Sequence, residues 1–373
     1  MKSIAGVRIR GPLADAGAED LSDWLSDRRW AGAVEEICGI DAQGAYWDLR
    51  LGRDAAGRWM PDGDTAGVAR ILALDPETQQ ADLEKEILIA LLGSPVQFDF
   101  PCAGELVAAV RVRRRIVQTA RRTVLAFDTE QAERPECWSW TEASGFVLKP
   151  GYELIPALER TLWPDRSGRR FSFSCYRATE YVLLLALAQE LAASHPAALG
   201  ALQCQWRTRA IQSGAFHDVF LREYGSLQAP LPPRYYVPGD RLWFRNPDAA
   251  SAEVEGYEGS WVFYLGSGQF ANFWKPGQPY TLESKCVELY HWRDGLRWDG
   301  ARPWMDESVV EARVAESLAD PAAMARILDR MMRLRDPSGV YAEGGCIDAS
   351  REALRCLLPG TWDLGLPILA STA

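Results

Sequence analysis

The strongest constraint on the fold is an apolar stretch that closely follows a cysteine. Residues 181–192 are apolar over most of a helical circumference, which is typical of a helix buried on all sides. The helix is expected to end just before Pro196, because proline disfavours helical backbone in the preceding residue. Cys175 thus lies at the amino end of a core helix, where free N–H groups and the helix dipole stabilise a thiolate. Cys175 is therefore a candidate nucleophile, although a free cysteine is more often a small buried hydrophobic residue.

Composition and charge limit the class of protein. Hydrophobic residues make up 47% of the 373, enough for a sizeable core in one large domain or two. The formal net charge of -10 argues against nucleic acid as the main partner. The apolar run is far too short to span a bilayer, and Arg8 interrupts the first residues before a signal peptide could form. We therefore expect a cytoplasmic protein without a membrane partner.

Cysteine and histidine usage gives no sign of a cofactor. The eight cysteines are widely scattered without a Cys-x-x-Cys pair, and the chain has three histidines. Zinc sites need closely spaced ligands, and disulfide frameworks need an oxidising compartment. We therefore expect no metal, no cofactor and a reducing compartment.

The pattern changes from helices to strands after Asp240. Aromatic and β-branched residues favour strands over 241–245, 261–265 and 269–274, and a proline-rich turn at 276–279 predicts a hairpin into a strand over 280–292. Further helices are expected over 82–92, 104–125, 156–163, 215–224, 320–331 and 349–358, and short strands over 46–51, 68–74, 138–140, 145–148 and 296–298. This order predicts an α+β fold in which the cysteine helix packs on an antiparallel sheet, as in papain-like thiol enzymes.

The helix predicted over 104–125 carries arginines along one face. A basic stripe can bind anions, but a charged helix face is more often solvated and paired with carboxylates of an acidic chain. We interpret the stripe in the second way. It consists of Arg111, Arg114, Arg115, Arg121 and Arg122.

Several stretches, taken in order, resemble one enzyme family. They are residues 95–100, 173–179 around the cysteine, 238–240, 244–247, 262–266 and 270–272, with a weaker match from 327 to about 351. Together they resemble the small bacterial transglutaminases associated with spore coats, which are protein-glutamine gamma-glutamyltransferases. The resemblance implies a transglutaminase-like domain over 94–373 with an insertion at about 280–320. Residues 1–93 would be an N-terminal extension of unknown role.

The resemblance implies a papain-like, transglutaminase-like fold and acyl transfer through Cys175. Its thiolate would attack the side-chain amide of a protein glutamine, ammonia would leave, and a lysine amine of a protein partner would convert the thioester into an isopeptide cross-link. This chemistry needs a thiolate, a hydrogen-bond donor for the oxyanion and a general acid/base. The backbone N–H of Cys175 is the expected oxyanion donor, because it lies at the start of a helix.

The chain departs from the family at the acid/base residues. Ser260 stands where the family carries its catalytic glutamate, and Asn272 where it carries its histidine, which implies a divergent member. Glu258 is one substitute, because a shift of two residues along a strand keeps a side chain on the same face. Glu283 is the other, because the predicted hairpin would bring it nearly opposite Asn272. Asn272 itself is expected to orient the reactants or to donate to the oxyanion.

Two other functions stay open at this point. Loss of a general acid/base commonly costs about 10²–10⁴ in rate, so the chain is alternatively a transglutaminase-fold pseudoenzyme that binds or scaffolds protein partners. Water in place of the lysine amine would instead make it a cysteine deamidase or hydrolase.

Overall fold

The computed structural model describes residues 4–10, 18–26, 32–127, 132–336 and 344–366. Parts of both predicted domains, and part of the weaker family match after residue 327, lie outside the described residues. The helices are α1 (Ala18–Ser26), α2 (Arg53–Trp59), α3 (Val68–Ile71), α4 (Gln80–Leu92), α5 (Ala103–Arg122), α6 (Leu154–Leu162), α7 (Pro164–Ser167), α8 (Cys175–Ser194), α9 (Pro196–Thr208), α10 (Gly214–Phe220), α11 (Leu282–Gly295), α12 (Glu307–Ala319) and α13 (Pro321–Met331).

The strands are mostly short. They are β1 (Val7–Ile9), β2 (Val34–Asp41), β3 (Gly44–Leu51), β4 (Phe98–Phe100), β5 (Ala126–Phe127), β6 (Trp138–Thr141), β7 (Gly145–Leu148), β8 (Ser172–Phe173), β9 (Leu221–Tyr224), β10 (Arg241–Arg245), β11 (Gly259–Gly266), β12 (Gln269–Phe270), β13 (Tyr280–Thr281), β14 (Leu296–Asp299), β15 (Arg302–Met305) and β16 (Arg351–Leu354).

The main sheet has six strands in the order β13, β12, β11, β10, β16 and β9. Its described strand pairs are antiparallel. In the β10–β11 pair, Trp243 lies opposite Trp261 and Phe244 lies opposite Ser260. β16 is the last strand of the described chain, yet it lies inside the sheet, between β10 and β9.

Helix α8 packs against this sheet. Its residues 182–188 are at most 1% exposed, and the helix contacts both α5 and β11. Complete burial of a leucine contributes about 1.5–3 kcal/mol to folding, so this segment anchors the core. The predicted α+β fold, with the cysteine helix on an antiparallel sheet, is confirmed. None of the described helices is long and apolar enough to cross a membrane.

A second sheet joins the beginning of the chain to the rest. Its order is β2, β3, β1 and β4, with β1 antiparallel to β3 and parallel to β4. Helix α4 buries Leu83 and Ile87 in the same hydrophobic cluster that contains Leu184 and Phe263. Described residues on both sides of position 93 therefore share one core. The domain boundary between 93 and 94 stays a prediction.

The strand predicted over 280–292 is wrong. Only Tyr280–Thr281 pair with the sheet, and the chain then forms α11. A capping box starts this helix: Thr281 Oγ1 accepts from the Ser284 N–H at 3.0 Å, and Ser284 Oγ accepts from the Thr281 N–H at 2.9 Å. This cap directs the chain into a helix although its aromatic residues favour a strand.

Three further expectations are wrong, two of them because of strand pairing. The helix predicted over 349–358 contains strand β16, the strand predicted over 68–74 contains helix α3, and the helix predicted over 215–224 ends at Phe220, where β9 follows. β9 and β16 pair with each other. Pairing with a distant strand overrides local helix propensity, which is a weak guide to structure in short segments.

The arginine stripe on α5 pairs with groups of the chain itself. Arg111 Nε and Arg115 Nε donate to the two carboxylate oxygens of buried Glu190 on α8, at 3.1 Å and 2.8 Å. Arg114 pairs with Glu84, Arg122 pairs with Asp165, and Arg121 donates to backbone carbonyls of Pro76 and Leu265. The prediction of internal partners is confirmed, and the stripe joins α5 to its neighbours.

Candidate active site

Cys175 is the first residue of α8. Ser174 caps the helix, since its Oγ accepts from the Arg177 N–H at 3.4 Å. The cysteine is half-buried, whereas the helix behind it lies in the core. The buried part of the helix therefore holds the backbone of a cysteine that lies between the core and the surface.

Two cavities meet at Cys175 and share Cys175, Gly256 and Gly259 in their walls. The first has a volume of about 110 Å³ and contains Ser260. Its aromatic walls are Phe127, Tyr257, Trp274, Tyr280 and Trp292. Its charged groups are Lys275, Lys285, Glu288, Glu307 and Glu311. The second, of about 360 Å³, is lined by Ser174, Tyr176, Trp243, Glu255, Glu258 and Trp261.

A lysine–glutamate pair from α11 lines the first cavity. Lys285 is 3% exposed, and its Nζ donates to Glu288 Oε2 at 2.6 Å. The ammonium also lies 4.1 Å from the ring centroid of Tyr280 and 5.8 Å from that of Trp292. Tyr280 donates its hydroxyl proton to Glu288 Oε1 at 3.0 Å. The pair therefore fixes a buried positive charge in the cavity that contains the thiol.

The surroundings of Cys175 change its pKa in opposite directions. Burial raises the pKa of the thiol and has the largest effect, while the backbone N–H groups of Trp261 and Tyr176 and the charge of Lys285 lower it. The carboxylate of Glu258 raises it further. The net pKa is raised, contrary to the expectation from the helix start alone, because loss of water around the sulfur outweighs the helix terminus.

Arg241 on β10 ties the start of α8 to the sheet. Its Nε donates to Thr179 Oγ1 at 2.9 Å, and its Nη1 donates to Glu352 Oε2 at 2.6 Å. The guanidinium carbon lies 4.6 Å from the ring centroid of Tyr176 and 4.0 Å from that of Trp261. Tyr176 directly follows Cys175, and Trp261 directly follows Ser260. Arg241 therefore holds helix and strand together beside the thiol.

The structure brings two predicted site residues into cavities with Cys175. Ser260 lies on β11, is 8% exposed and lines the first cavity. Glu258 precedes β11, is exposed and lines the second, where its Oε1 accepts from the Gly256 N–H at 3.4 Å. Ser260 and Glu258 thus line different cavities, and Cys175 belongs to the walls of both.

Asn272 and Glu283 are not among the described residues that line these cavities. The Asn272 side chain closes a turn: its Nδ2 donates to the Gln278 carbonyl at 3.0 Å, and its Oδ1 accepts from the Trp274 and Lys275 N–H groups at 3.3 Å each. Glu283 does not lie in a strand opposite Asn272, because it belongs to the first turn of α11. Its carboxylate instead accepts from Arg234 Nη2 at 2.8 Å.

Sequence analysis missed Lys285 and Glu288, because it assigned their segment to a strand. In a helix these residues are three positions apart and face the same side, whereas in a strand they would face opposite sides. The signal that could have found them is Thr281 followed by Ser284, the capping box. Among the residues that the structure describes, no cluster of three or more histidine, cysteine or acidic side chains could hold a metal ion.

The fold and the site define a class of protein. The fold places a cysteine at the start of a core helix, beside an antiparallel sheet and between two cavities. The family model described as Protein-glutamine gamma-glutamyltransferase matches residues 68–351, so the chain belongs to this family. The predicted family is thereby confirmed, while the spore-coat type and the divergent character of this member stay predictions.

Comparison with solved structures adds one similar protein. It is the "Transglutaminase from Geobacillus stearothermophilus (without C-terminal extension)", with 20% sequence identity and a TM-score of 0.39. The match covers 57% of this chain and 98% of that chain. No curated protein matches the sequence.

Proposed function

We propose that this chain transfers the acyl group of a protein glutamine side chain to a primary amine, through a thioester on Cys175. Membership of the family supports protein-glutamine acyl transfer in general. The observation that carries the finer proposal is that two differently lined cavities meet at one half-buried thiol. A two-substrate transfer needs such an arrangement, because the acyl donor and the amine must each reach the same sulfur-bound carbon.

The carboxylate of Glu258 is the base that we assign to the thiol. It lines the second cavity with Cys175, whereas Glu283 is paired with Arg234. Proton transfer from the thiol to Glu258 gives the thiolate, which attacks the amide carbon. The backbone N–H of Cys175 at the first position of α8 is free to donate to the oxyanion. Collapse of the intermediate breaks the C–N bond, and ammonia leaves.

The first cavity is suited to the amine. Its walls include the aromatic rings of Tyr257 and Trp274, and its three carboxylates outnumber its two ammonium groups. Glu307 accepts from the Tyr257 hydroxyl at 2.6 Å, and Glu311 pairs with Lys275. Aromatic faces and carboxylates both attract an alkylammonium group. After this group has lost a proton to solvent, the neutral amine attacks the thioester, forms the isopeptide bond and returns the sulfur to the enzyme. Asn272 keeps a supporting role in this proposal, because its turn positions Trp274.

The test is incorporation of a fluorescent primary amine into a casein whose lysines are blocked. We expect incorporation by the native protein and none by the Cys175→Ala variant, because the thioester cannot form. Release of ammonia without incorporation would indicate a deamidase or hydrolase. Absence of both products from the folded native protein would overturn the proposal in favour of a pseudoenzyme that binds protein partners.

A further inference from the structure

A buried lysine lines the first cavity. Ser260 carries no titratable group at neutral pH, and Asn272 is bonded within its turn. Lys285 lines the same cavity as Cys175 and Ser260, and it comes from the segment that sequence analysis treated as an insertion. Burial of a lysine is costly unless the charge is paired, and the ammonium of Lys285, which is 3% exposed, is paired with Glu288.

We propose that Lys285 is the general acid and base for the nitrogen atoms of both substrates, and that Glu288 holds its ammonium in place. This inference rests on the proposed acyl transfer. An ammonium has three N–H donors, and Glu288 accepts from Lys285 Nζ. In the part of the chain that the structure describes, no other group accepts from this ammonium, so the remaining donors can serve a nitrogen that enters the cavity. Tyr280 and Trp292 confine the ammonium between their rings and Glu288.

The proton balance closes over one cycle. Glu258 takes the proton of the thiol, and the thiolate attacks the amide carbon. Lys285 then donates a proton to the amide nitrogen, the C–N bond breaks, and ammonia leaves while the lysine becomes a neutral amine. The incoming primary amine attacks the thioester and passes its extra proton to Lys285, which restores the ammonium. The released thiolate recovers its proton from Glu258.

The charge of Lys285 also acts on the sulfur itself. It is one of the groups that lower the pKa of Cys175, against the larger effect of burial. The titratable and charged groups that face this site from the surrounding segments are Glu258 and Glu255 before β11, Tyr257 beside them, Lys275 after β12, Glu288 and Tyr280 around α11, and Glu307 and Glu311 on α12. A test must therefore separate Lys285 from these neighbours.

The first measurement is the rate of Cys175 alkylation by iodoacetamide as a function of pH, which does not depend on any transferase activity. We expect Lys285→Met to move the profile to higher pH by about one unit, so that alkylation at neutral pH slows about tenfold, because the nearby positive charge is lost. Lys275→Met is the matched control: it removes an exposed lysine of the same cavity, paired with Glu311, and should leave the profile in place.

The second measurement is amine incorporation by the same variants. Loss of a general acid/base costs about 10²–10⁴ in kcat, so Lys285→Met should lose at least about 100-fold with little change in the KM of the casein. Lys285→Arg keeps the charge but cannot give up its proton, so it should retain the alkylation profile and lose incorporation. Glu288→Gln should show a smaller shift of the alkylation profile and a smaller loss of amine incorporation than Lys285→Met, because the ammonium is less firmly held.

Two results would overturn the inference. An alkylation profile unchanged in folded Lys285→Met would show that the charge does not act on the sulfur. A kcat of Lys285→Met within a few-fold of the native value would show that another group handles the nitrogen protons. If the native protein incorporates no amine, the proposed function fails, and the alkylation profile still decides whether Lys285 acts on Cys175. Circular dichroism of each variant excludes an unfolded protein as the cause.

Discussion

At the scale of single residues, Glu258 and Lys285 act on one sulfur with opposite charges. The carboxylate raises the pKa of Cys175 and the ammonium lowers it. Lys285 lines the first cavity and Glu258 lines the second. Removal of the Glu258 charge should therefore have two opposite effects. It should make the thiolate of Cys175 easier to form, and it should slow the proton transfers of the reaction.

Replacement of Glu258 by glutamine should reveal both effects. With the negative charge gone, the pKa of Cys175 falls, so alkylation by iodoacetamide at neutral pH should become a few-fold faster. Amine incorporation should fall by about 100-fold or more, because the base is lost. Glu255→Gln is the control, since Glu255 lines the same cavity. Equal incorporation by native protein and Glu258→Gln would assign the base elsewhere.

The helix start pointed to Cys175, the family resemblance to Ser260 and the strand period to Glu258. All three line the two cavities, and their roles stay predictions. It did not locate Lys285. Which side chains from α11 reach the cysteine depends on how two segments more than a hundred residues apart pack together. The role predicted for Asn272 overlooked a local alternative, namely that an asparagine side chain readily bonds to backbone groups two or three residues further on.

At the scale of elements, a buried carboxyl joins helix α4 to the turn between β11 and β12. Glu86 is 1% exposed, and its Oε1 accepts from the Ser267 N–H at 2.8 Å and from the Tyr264 hydroxyl at 3.3 Å. Among the described residues, its Oε2 has no hydrogen-bond partner. Burial raises the pKa of Glu86 from 4.5 to about 7. The contact between these two elements is therefore sensitive to pH.

The stability of the native protein should fall as pH rises through the range in which Glu86 ionises. Between pH 4.5 and about 7 the folded state keeps a proton that the unfolded chain has lost, so the stabilisation is fully present below pH 4.5 and is lost as pH passes 7. The loss is about 3 kcal/mol. Thermal unfolding should show that the unfolding temperature of Glu86→Gln rises relative to that of the native protein between pH 5 and 8.

The Glu84→Gln variant provides the comparison on the same helix. Glu84 pairs with Arg114 instead of lying unpaired in the core. Replacement of Glu84 should not raise the unfolding temperature relative to the native protein between pH 5 and 8. If the difference in unfolding temperature between native protein and Glu86→Gln is constant over this range, Glu86 does not titrate there.

At the scale of the whole molecule, the first part of the chain is joined to the rest through a common core. The parallel pairing of β1 with β4 and the burial of α4 against the same cluster as α8 connect them. The family model also begins at residue 68, before the predicted boundary. These contacts are long-range, which is why a resemblance that begins at residue 95 could suggest a separate extension but could not show what it packs against.

A chain shortened to residues 94–373 should therefore fail to fold cooperatively. It loses α4, whose Leu83, Ile87 and Leu91 are each at most 1% exposed. Each contributes about 1.5–3 kcal/mol, and the net stability of a domain is only about 5–15 kcal/mol. Differential scanning calorimetry should show no sharp transition. A cooperative transition, with Cys175 alkylated as in the full chain, would support an independent extension over 1–93.

The position of β16 determines when the site can form during synthesis. The ribosome makes β9 and β10 long before Arg351–Leu354, yet their facing edges are joined only when this strand enters between them. The same strand brings Glu352 to Arg241, the side chain that braces the start of the cysteine helix. Because distant pairings form slowly, a nascent polypeptide carries Cys175 without that brace at least until Glu352 has been made.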